Sequence, residues 1–411
     1  MDTLAFRDSL RLLRTKQFGT FCIASLLSNI GTWAQQVAQP WLLLSLGASS
    51  FVVGLDAFAL GAPVWLLTIV GGVLADRSDR RRVIVFFQSI QMLCPMLLVW
   101  LLLDDAVRPW MVVSLSLIVG ITDALSMPSF QSIVPSIVPH DKIASGLALN
   151  ATQFNLSRIL GPALAGVLMA GIGAVGCFAV SAASYVPFIA VALWILPRAA
   201  AHGIRTSSGA GLHLLSGVRE VTKAPRLRGA LLTVFTTSIL CGPLITFAPV
   251  LVKDVFQGGS GEFSAAIGAF GVGGLFGAGM LLFVAATVER GRLSSSFAVG
   301  CGVVTLLVAL SPWSAALPAL LVLAGLTMSV SNTAANTLVQ AIAPPSLRGQ
   351  TVSLYMLAVR GGMSLGGLVT GMSIVWVGVR HALLINGAVA IAAQLLIAQT
   401  GWRASVALPS R

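Results

Sequence analysis

Residues 72 to 82 read Gly72-Val73-Leu74-Ala75-Asp76-Arg77-Ser78-Asp79-Arg80-Arg81-Arg82, a block of charge set between the apolar stretches 51 to 75 and 83 to 103. An apolar run of that length reaches across the roughly 30 Å hydrocarbon core of a bilayer as a helix. The charges between two such runs then mark a return at the membrane surface. Composition requires the same solvent. Apolar residues make up 56% of the 411, charged residues 9%, and mean hydropathy is +0.93. A water-soluble globule of this size would lack the polar surface to cover itself.

Working outward from the block, twelve candidate spans are legible: 18 to 46, 51 to 75, 83 to 103, 110 to 135, 146 to 170, 173 to 196, 229 to 252, 263 to 286, 296 to 311, 314 to 337, 350 to 376 and 381 to 399. The expected fold is all-α. β-barrel strands would be half as long and would alternate polar with apolar residues. With the amino terminus inside, twenty of the 25 basic residues fall in cytoplasmic segments, and only Arg108, Lys253 and Arg380 fall in outer loops. That bias is the positive-inside pattern and predicts both termini in the cytoplasm. The formal charge of +12 therefore reads as topology and contact with anionic headgroups, not as nucleic-acid binding.

Residues 1 to 17, with Arg7, Arg11 and Arg14 on one face and Leu10 and Leu13 on another, read as an interfacial helix on the inner leaflet, and no cleavable signal peptide is expected. A basic segment, 197 to 228, divides a bundle at 18 to 196 from a second at 229 to 399, with a tail at 400 to 411. Pro139, Gly161 and Gly166 return 205 residues later as Pro344, Gly366 and Gly371, a trace of an internal repeat. The cysteines at 22, 94, 177, 241 and 301 each fall singly within a span, so neither a metal site nor a disulfide framework is expected.

Function should show in the polar residues inside the spans, since each one costs insertion free energy. The first span carries Ser25, Ser28, Asn29, Thr32, Gln35, Gln36 and Gln39 at spacings of three and four. The fourth carries Ser116, Thr122, Asp123 and Ser126; the seventh Thr233, Thr236, Thr237 and Cys241; the tenth Ser329, Asn332, Thr333, Asn336, Thr337 and Gln340. The competing reading of such stripes is hydrogen bonding between packed helices. Four ionisable residues lie inside: Asp56, Asp123, Arg158 and Arg360. At 1.5 Å per residue Asp123, Arg158 and Arg360 lie about 18, 20 and 16 Å deep, near the midplane, whereas Asp56 is about 9 Å from the outer surface and within reach of headgroup water. Asp123 and Arg158 therefore need each other or a wet cavity, and two midplane arginines favour anionic or neutral polar solutes over cations. The competing reading leaves both arginines spent on Asp123 and backbone carbonyls. Gly273 with Gly277, Gly362 with Gly366 and Gly367 with Gly371 read as close helix contacts, not as a nucleotide loop. No Walker sequence occurs, so an ion gradient or the solute's own gradient must drive any transport. No histidine lies inside a span, which leaves Asp123 or Asp56 as proton carriers.

The block at 72 to 82 resembles the loop 2-3 signature of the major facilitator superfamily, G-x-L-A-D-R-x-G-R-R: Gly72, Leu74, Asp76, Arg77, Arg80 and Arg81 match, while Asp79 stands where a glycine is usual. Pro128 to Pro139, Ala148 to Asn150, Asn155 to Gly166, and Gly31-Thr32-Trp33-Ala34-Gln35 with Trp41 are similar to the branch of enterobactin exporters and the third drug:proton antiporter family. Gly161-Pro162 with Gly166 resembles that superfamily's helix 5 kink, with Ala165 in place of a glycine. The resemblance implies two six-helix halves around a central cavity lined by helices 1, 4, 7 and 10, and an inner gate of Gly72, Asp76, Arg77, Arg80 and Arg81. It implies a monomeric, proton-coupled exporter of the inner membrane, moving a siderophore-like or drug-like molecule by alternating access. On this reading Asp123 and Asp56 are the coupling candidates, and Arg158, Arg360, Asn29, Gln36, Asn332 and Asn336 line the cavity. A proton-independent flippase and a non-transporting scaffold or sensor are the alternatives. No enzymatic centre, cofactor or metal is expected, and the partners are the solute, the proton and the bilayer.

Overall fold

The structure is a computed structural model that describes residues 12–139, 142–196, 224–284, 288–343 and 348–406. The expected interfacial helix before residue 12, the segment 197–223, Pro344 and the last residues of the tail lie outside the described residues. Among the described residues no strand occurs. The helices are α1 (Lys16–Ser45), α2 (Ser50–Arg77), α3 (Arg80–Leu103), α4 (Pro109–Ile133), α5 (Ile143–Trp194), α6 (Pro225–Leu240), α7 (Ser260–Phe283), α8 (Arg290–Leu310), α9 (Leu317–Ile342) and α10 (Arg348–Val406). Nine described stretches are long and apolar enough to cross a membrane.

Two helices are too long to cross once. α5 has 52 residues and α10 has 59, against about 20 needed for the hydrocarbon core. Each holds one non-helical residue, Gly173 (φ 66, ψ −168) and Gly378 (φ 79, ψ 161), where a left-handed φ costs glycine nothing and any other residue strain. These breaks fall where the sequence places the turns after 170 and after 376. Helical geometry runs unbroken through Gly161, Pro162 and Gly166.

Two spans differ from expectation. The stretch 229 to 252 is not one helix: α6 stops at Leu240, and short turns follow at Pro243–Thr246 and Ala248–Val250 before a π-turn at Leu251–Val255. Pro243 has no N–H for the Ile239 carbonyl, the Gly242 N–H bonds Thr237 O at 3.1 Å, and the Leu244 N–H bonds Cys241 O at 3.1 Å, so the helical ladder lapses there. The ninth span begins at Arg290, six residues before the expected 296. An Arg292–Glu289 pair at 2.8 Å closes its first turn and carries helix into the charged loop.

The chain groups into two compact units, residues 1–39 with 63–206 and residues 40–62 with 207–411. The first has a core in which Phe188 stacks on Phe130 at 5.0 Å and meets Phe21 edge-on at 5.8 Å, beside Phe18, Ile84 and Ile133. Gly161 lets α5 approach α1, where a Cβ would collide with Trp33 and lie 3.3 Å from Ile30 O. The second unit contains the matching contact: a Cβ at Gly366 would collide with Ile239 O. The glycines separated by 205 residues thus do the same work in each unit. In the second unit Trp41 stacks on Phe263 at 5.0 Å, the Lys253 ammonium donates to Leu44 O at 2.8 Å, and Gly54 and Gly61 lie against Gly367 and Ser364. α7 and α9 meet backbone to backbone, since a Cβ at Gly273 or Gly325 would collide with Val322 O or Phe270 O. Apolar side chains cover the outside instead of water-soluble ones, with Trp100, Trp110, Trp313 and Trp376 exposed at helix ends, as in an interfacial aromatic belt.

The α7–α9 contact gives a direct test. Gly325→Val should cost about 1–3 kcal/mol by overpacking and lower both folded yield and apparent unfolding temperature in detergent. Gly279→Ala, whose Cβ meets nothing within 4 Å, should be indistinguishable from the parent.

Candidate functional site

The charged block is built as a helix stop and restart. α2 ends at Arg77 and α3 begins at Arg80, capped by Asp79, whose carboxylate accepts the Arg81 N–H at 3.0 Å and lies 3.8 Å from Arg82. The residue that departs from the signature is therefore the N-cap that starts α3, and its charge sits favourably at the positive end of the helix dipole. Arg80 donates to Ser132 O at 3.2 Å, near the carboxyl end of α4, which ties α3 to α4 within the first unit. The side chains of Asp76 and Arg77 lie outside the described residues. Gly72 has open space around a hypothetical Cβ, whereas a Cβ at its neighbour Gly71 would lie 2.7 Å from Ala124 O. Gly71, absent from the signature, is the glycine that α2 needs for its approach to α4.

The α1 stripe divides into two sets. Ser25 accepts from Gln153 at 3.4 Å, Thr32 shares a hydrogen bond with Tyr185 at 3.0 Å, Gln35 accepts from Ser181 at 2.7 Å, and Gln39 donates to Ser116 at 2.6 Å. These bond α1 to α4 and to both parts of α5, as packed membrane helices do. Asn29 and Gln36, seven residues apart on one face, are only half-buried and make no side-chain hydrogen bond among the described residues. Helix register places the charges near the depth of Asn29. Counting back along α1 and forward along α4 from Gln39–Ser116 puts Asp123 level with Thr32. Counting along the parallel α1 and α5 from Ser25–Gln153 puts Arg158 level with Ile30. Asn29, Asp123 and Arg158 thus lie within about one helical turn of one another in depth. Asp123 and Arg158 are half-buried, and Arg158 makes no ion pair or hydrogen bond among the described residues. Asp56 does not reach out to headgroup water: it is 5% exposed.

In the second unit the α6 threonines are taken up in packing. Gln394 donates to Thr233 O at 3.0 Å and to Thr237 Oγ1 at 3.2 Å, and Thr237 bonds back to Thr233 O. On α9, Ser331 and Ser294 of α8 exchange hydrogen bonds with each other's carbonyls at 3.0 and 2.9 Å. Asn336 accepts from Gln340 at 3.1 Å, and Asn332 O accepts from Tyr355 at 3.0 Å. Arg360 lies on α10, where a Cβ at Gly61 would come 3.4 Å from its carbonyl. Sequence reasoning passed over Tyr185 and Tyr355, although the chain has two tyrosines in all and both fall in spans; that scarcity was a usable signal. The five cysteines are buried, and among the described residues no three His, Cys, Asp or Glu side chains gather as a metal site would need.

Comparison with known proteins follows the same line. The family model described as "Transmembrane secretion effector" matches residues 8–409, and the chain belongs to that family. It is 29% identical over 262 residues to a staphyloferrin A transporter of Staphylococcus aureus, covering 62% of this chain and 64% of that one. It is 25% identical to the multidrug efflux pump Tap of Mycolicibacterium fortuitum, over 80% and 82% of the two chains, and 24% identical to the enterobactin exporter EntS of Salmonella choleraesuis, over 90% and 89%. These relatives place it among the major facilitator transporters, as a multi-pass protein of the bacterial inner membrane. Among solved structures it has the fold of the nucleoside transporter NupG, with TM-score 0.70 at 13% identity over 94% of this chain and all of that one.

The loop makes its own prediction. Asp79→Ala removes the α3 cap and should cost about 1 kcal/mol, read as a lower unfolding temperature that Asp79→Ser largely restores. Gly71→Val should fold poorly while Gly72→Ala folds normally, the reverse of what the signature alone would suggest.

Proposed function

We propose that the chain is a proton-coupled exporter of small organic molecules, working by alternating access. The observation that carries this reading is the group at one depth in the first unit: a carboxylate, a guanidinium and a carboxamide, half-buried beside the polar pairs that join α1 to α4 and α5. Charge kept at that depth is expensive and marks a path for ions or solutes. The names of the relatives, an enterobactin exporter and a multidrug pump among them, support export of a siderophore-like or drug-like compound. Reading each broken helix as two spans, and counting α1, gives the twelve of a major facilitator fold in two six-helix bundles. Both termini then lie in the cytoplasm and the block at 72 to 82 on the inner face, with the monomer as the working unit.

Asp123 is the proposed proton carrier. A guanidinium at its depth favours the ionised carboxylate and desolvation favours the neutral one, so a conformational change that alters either loads or releases a proton. In the first unit Arg158 gives the path a positive character suited to anionic or hydrogen-bond-rich solutes, and Asn29 and Gln36 supply hydrogen bonds, while Arg360 is the corresponding candidate in the second unit. Asp76, Arg77, Arg80 and Arg81 form the inner gate, and Gly161, Pro162 and Gly166 the packing surface against which α1 moves. Asp56 is the second coupling candidate.

In proteoliposomes with an imposed pH gradient, the parent should accumulate solute with stoichiometric proton flux. Asp123→Asn should abolish accumulation while leaving downhill exchange; unchanged coupling in that variant would transfer the role to Asp56. Asp76→Ala should reach the membrane in normal amount yet transport at least about tenfold more slowly, because inner closure loses charge-assisted hydrogen bonds made in only one state. Wild-type transport by that variant would remove Asp76 from the gate.

A further inference from the structure

Asn332 on α9 carries two unused polar atoms. It is 0% exposed, and among the described residues neither its Oδ1 nor its Nδ2 has a hydrogen-bond partner. One turn earlier Ser329, 6% exposed, also has an Oγ without a partner. Asn332 lies ten residues before the end of α9 at Ile342, about 15 Å along the helix, within an apolar stretch long enough to cross a membrane.

The surroundings show that this is not a loosely seated side chain. The Asn332 carbonyl is held by the buried Tyr355 hydroxyl at 3.0 Å, and the adjacent Ser331 is locked to Ser294 by two reciprocal bonds. The face of α9 that carries Val322, Gly325 and Ser329 packs on α7, and Asn332 and Asn336 continue that face. The backbone is thus fixed on both sides of an amide whose donor and acceptor go unused. Leucine has the same branching and the same number of heavy atoms, and would fill the position without that cost. A buried polar group left unpaired calls for an explanation, and a role in binding is one that accounts for both of its unused atoms.

We infer that Asn332 is a specificity-determining residue of the transport path, reserved for a solute group that offers a donor and an acceptor side by side, namely a carboxamide, a hydroxamic acid or a protonated carboxyl group. The inference rests on the export reading and narrows its substrate class. A primary amide presents C=O and N–H₂ in one plane, so such a group meets it at two points, while a lipophilic cation without one leaves both atoms unpaired. Ser329 and Asn336, one turn to either side, extend the same stripe toward further hydroxyls of the solute.

The test sets stability against selectivity in the full-length protein. Asn332→Leu should raise the apparent unfolding temperature in detergent, and should lower the ratio of dihydroxamate transport to tetraphenylphosphonium transport by about tenfold or more, since a site built to hydrogen-bond discriminates strongly when the bond is lost. Asn332→Gln, which keeps the amide but moves it, should shift the ratio by less and give no gain in stability. A higher unfolding temperature with an unchanged ratio would overturn the inference and leave the amide a packing defect. A lower unfolding temperature would also overturn it, by showing that the folded state satisfies the amide internally. Both outcomes stand apart from failure of the export reading, which would appear as no transport of either probe by the parent.

Discussion

Hydrocarbon offers no hydrogen bonds, and the rest of the structure depends on that absence. In water an unpaired carbonyl or a stray serine is satisfied at small cost; in lipid the protein must supply every partner itself. Helix is the backbone's answer, and it holds throughout the described residues apart from turns and a few specific breaks. Gly173 and Gly378 break it at positive φ, in turns between long apolar runs. Cys241-Gly242-Pro243 breaks it in the middle of an expected span, where proline removes a donor and the two nearest N–H groups are redirected. Helices that gain no hydrophobic drive from one another associate instead through close backbone approach. Gly161 of α5, Gly273 and Gly277 of α7, Gly325 of α9 and Gly366 and Gly371 of α10 sit where a carbonyl or side chain of a neighbouring helix occupies the space a Cβ would need.

The same constraint sorts the polar side chains. Periodicity identifies a stripe but not its use, because a residue bonding a neighbouring helix and a residue facing a solute occur at the same spacing. Only partners distinguish them. Ser25, Thr32, Gln35 and Gln39 are taken by Gln153, Tyr185, Ser181 and Ser116, and of these four partners only Ser116 belongs to a polar stripe visible in the sequence. Ser28, Asn29 and Gln36 remain once those bonds are drawn, and of these Ser28 is buried. On α9 the same sorting separates Ser331, which is fully used, from Asn332, which is not.

Fold class was legible because it follows from length, hydropathy and charge, quantities that a single sequence carries in full. The turns at Gly173 and Gly378 were legible for the same reason, as punctuation between apolar runs. The start of α8 was not, since Arg290 and Arg292 look like loop by composition, and their helical state depends on Glu289 and on packing. The break after Leu240 was written as Gly242-Pro243, yet apolar runs on both sides read as one span, because hydropathy does not record which carbonyl has lost its donor. Asp56 shows the limit most plainly. Depth alone suggested a side chain reaching for water, but depth says nothing of which way a residue faces, and the structure buries it.

Signature matching has a related limit. The pattern at 72 to 82 is recognisable with Asp79 in place of glycine because the remaining positions keep the charge, but the pattern does not say what each position does. In this chain the substituted residue caps α3, the matched Gly72 has room for a side chain, and the close contact belongs to the unmatched Gly71. Arg80, which the resemblance assigns to a gate, also holds the carboxyl end of α4 through Ser132. The same arginine therefore ties the start of α3 to the end of α4, the helix that carries Asp123, within the first unit.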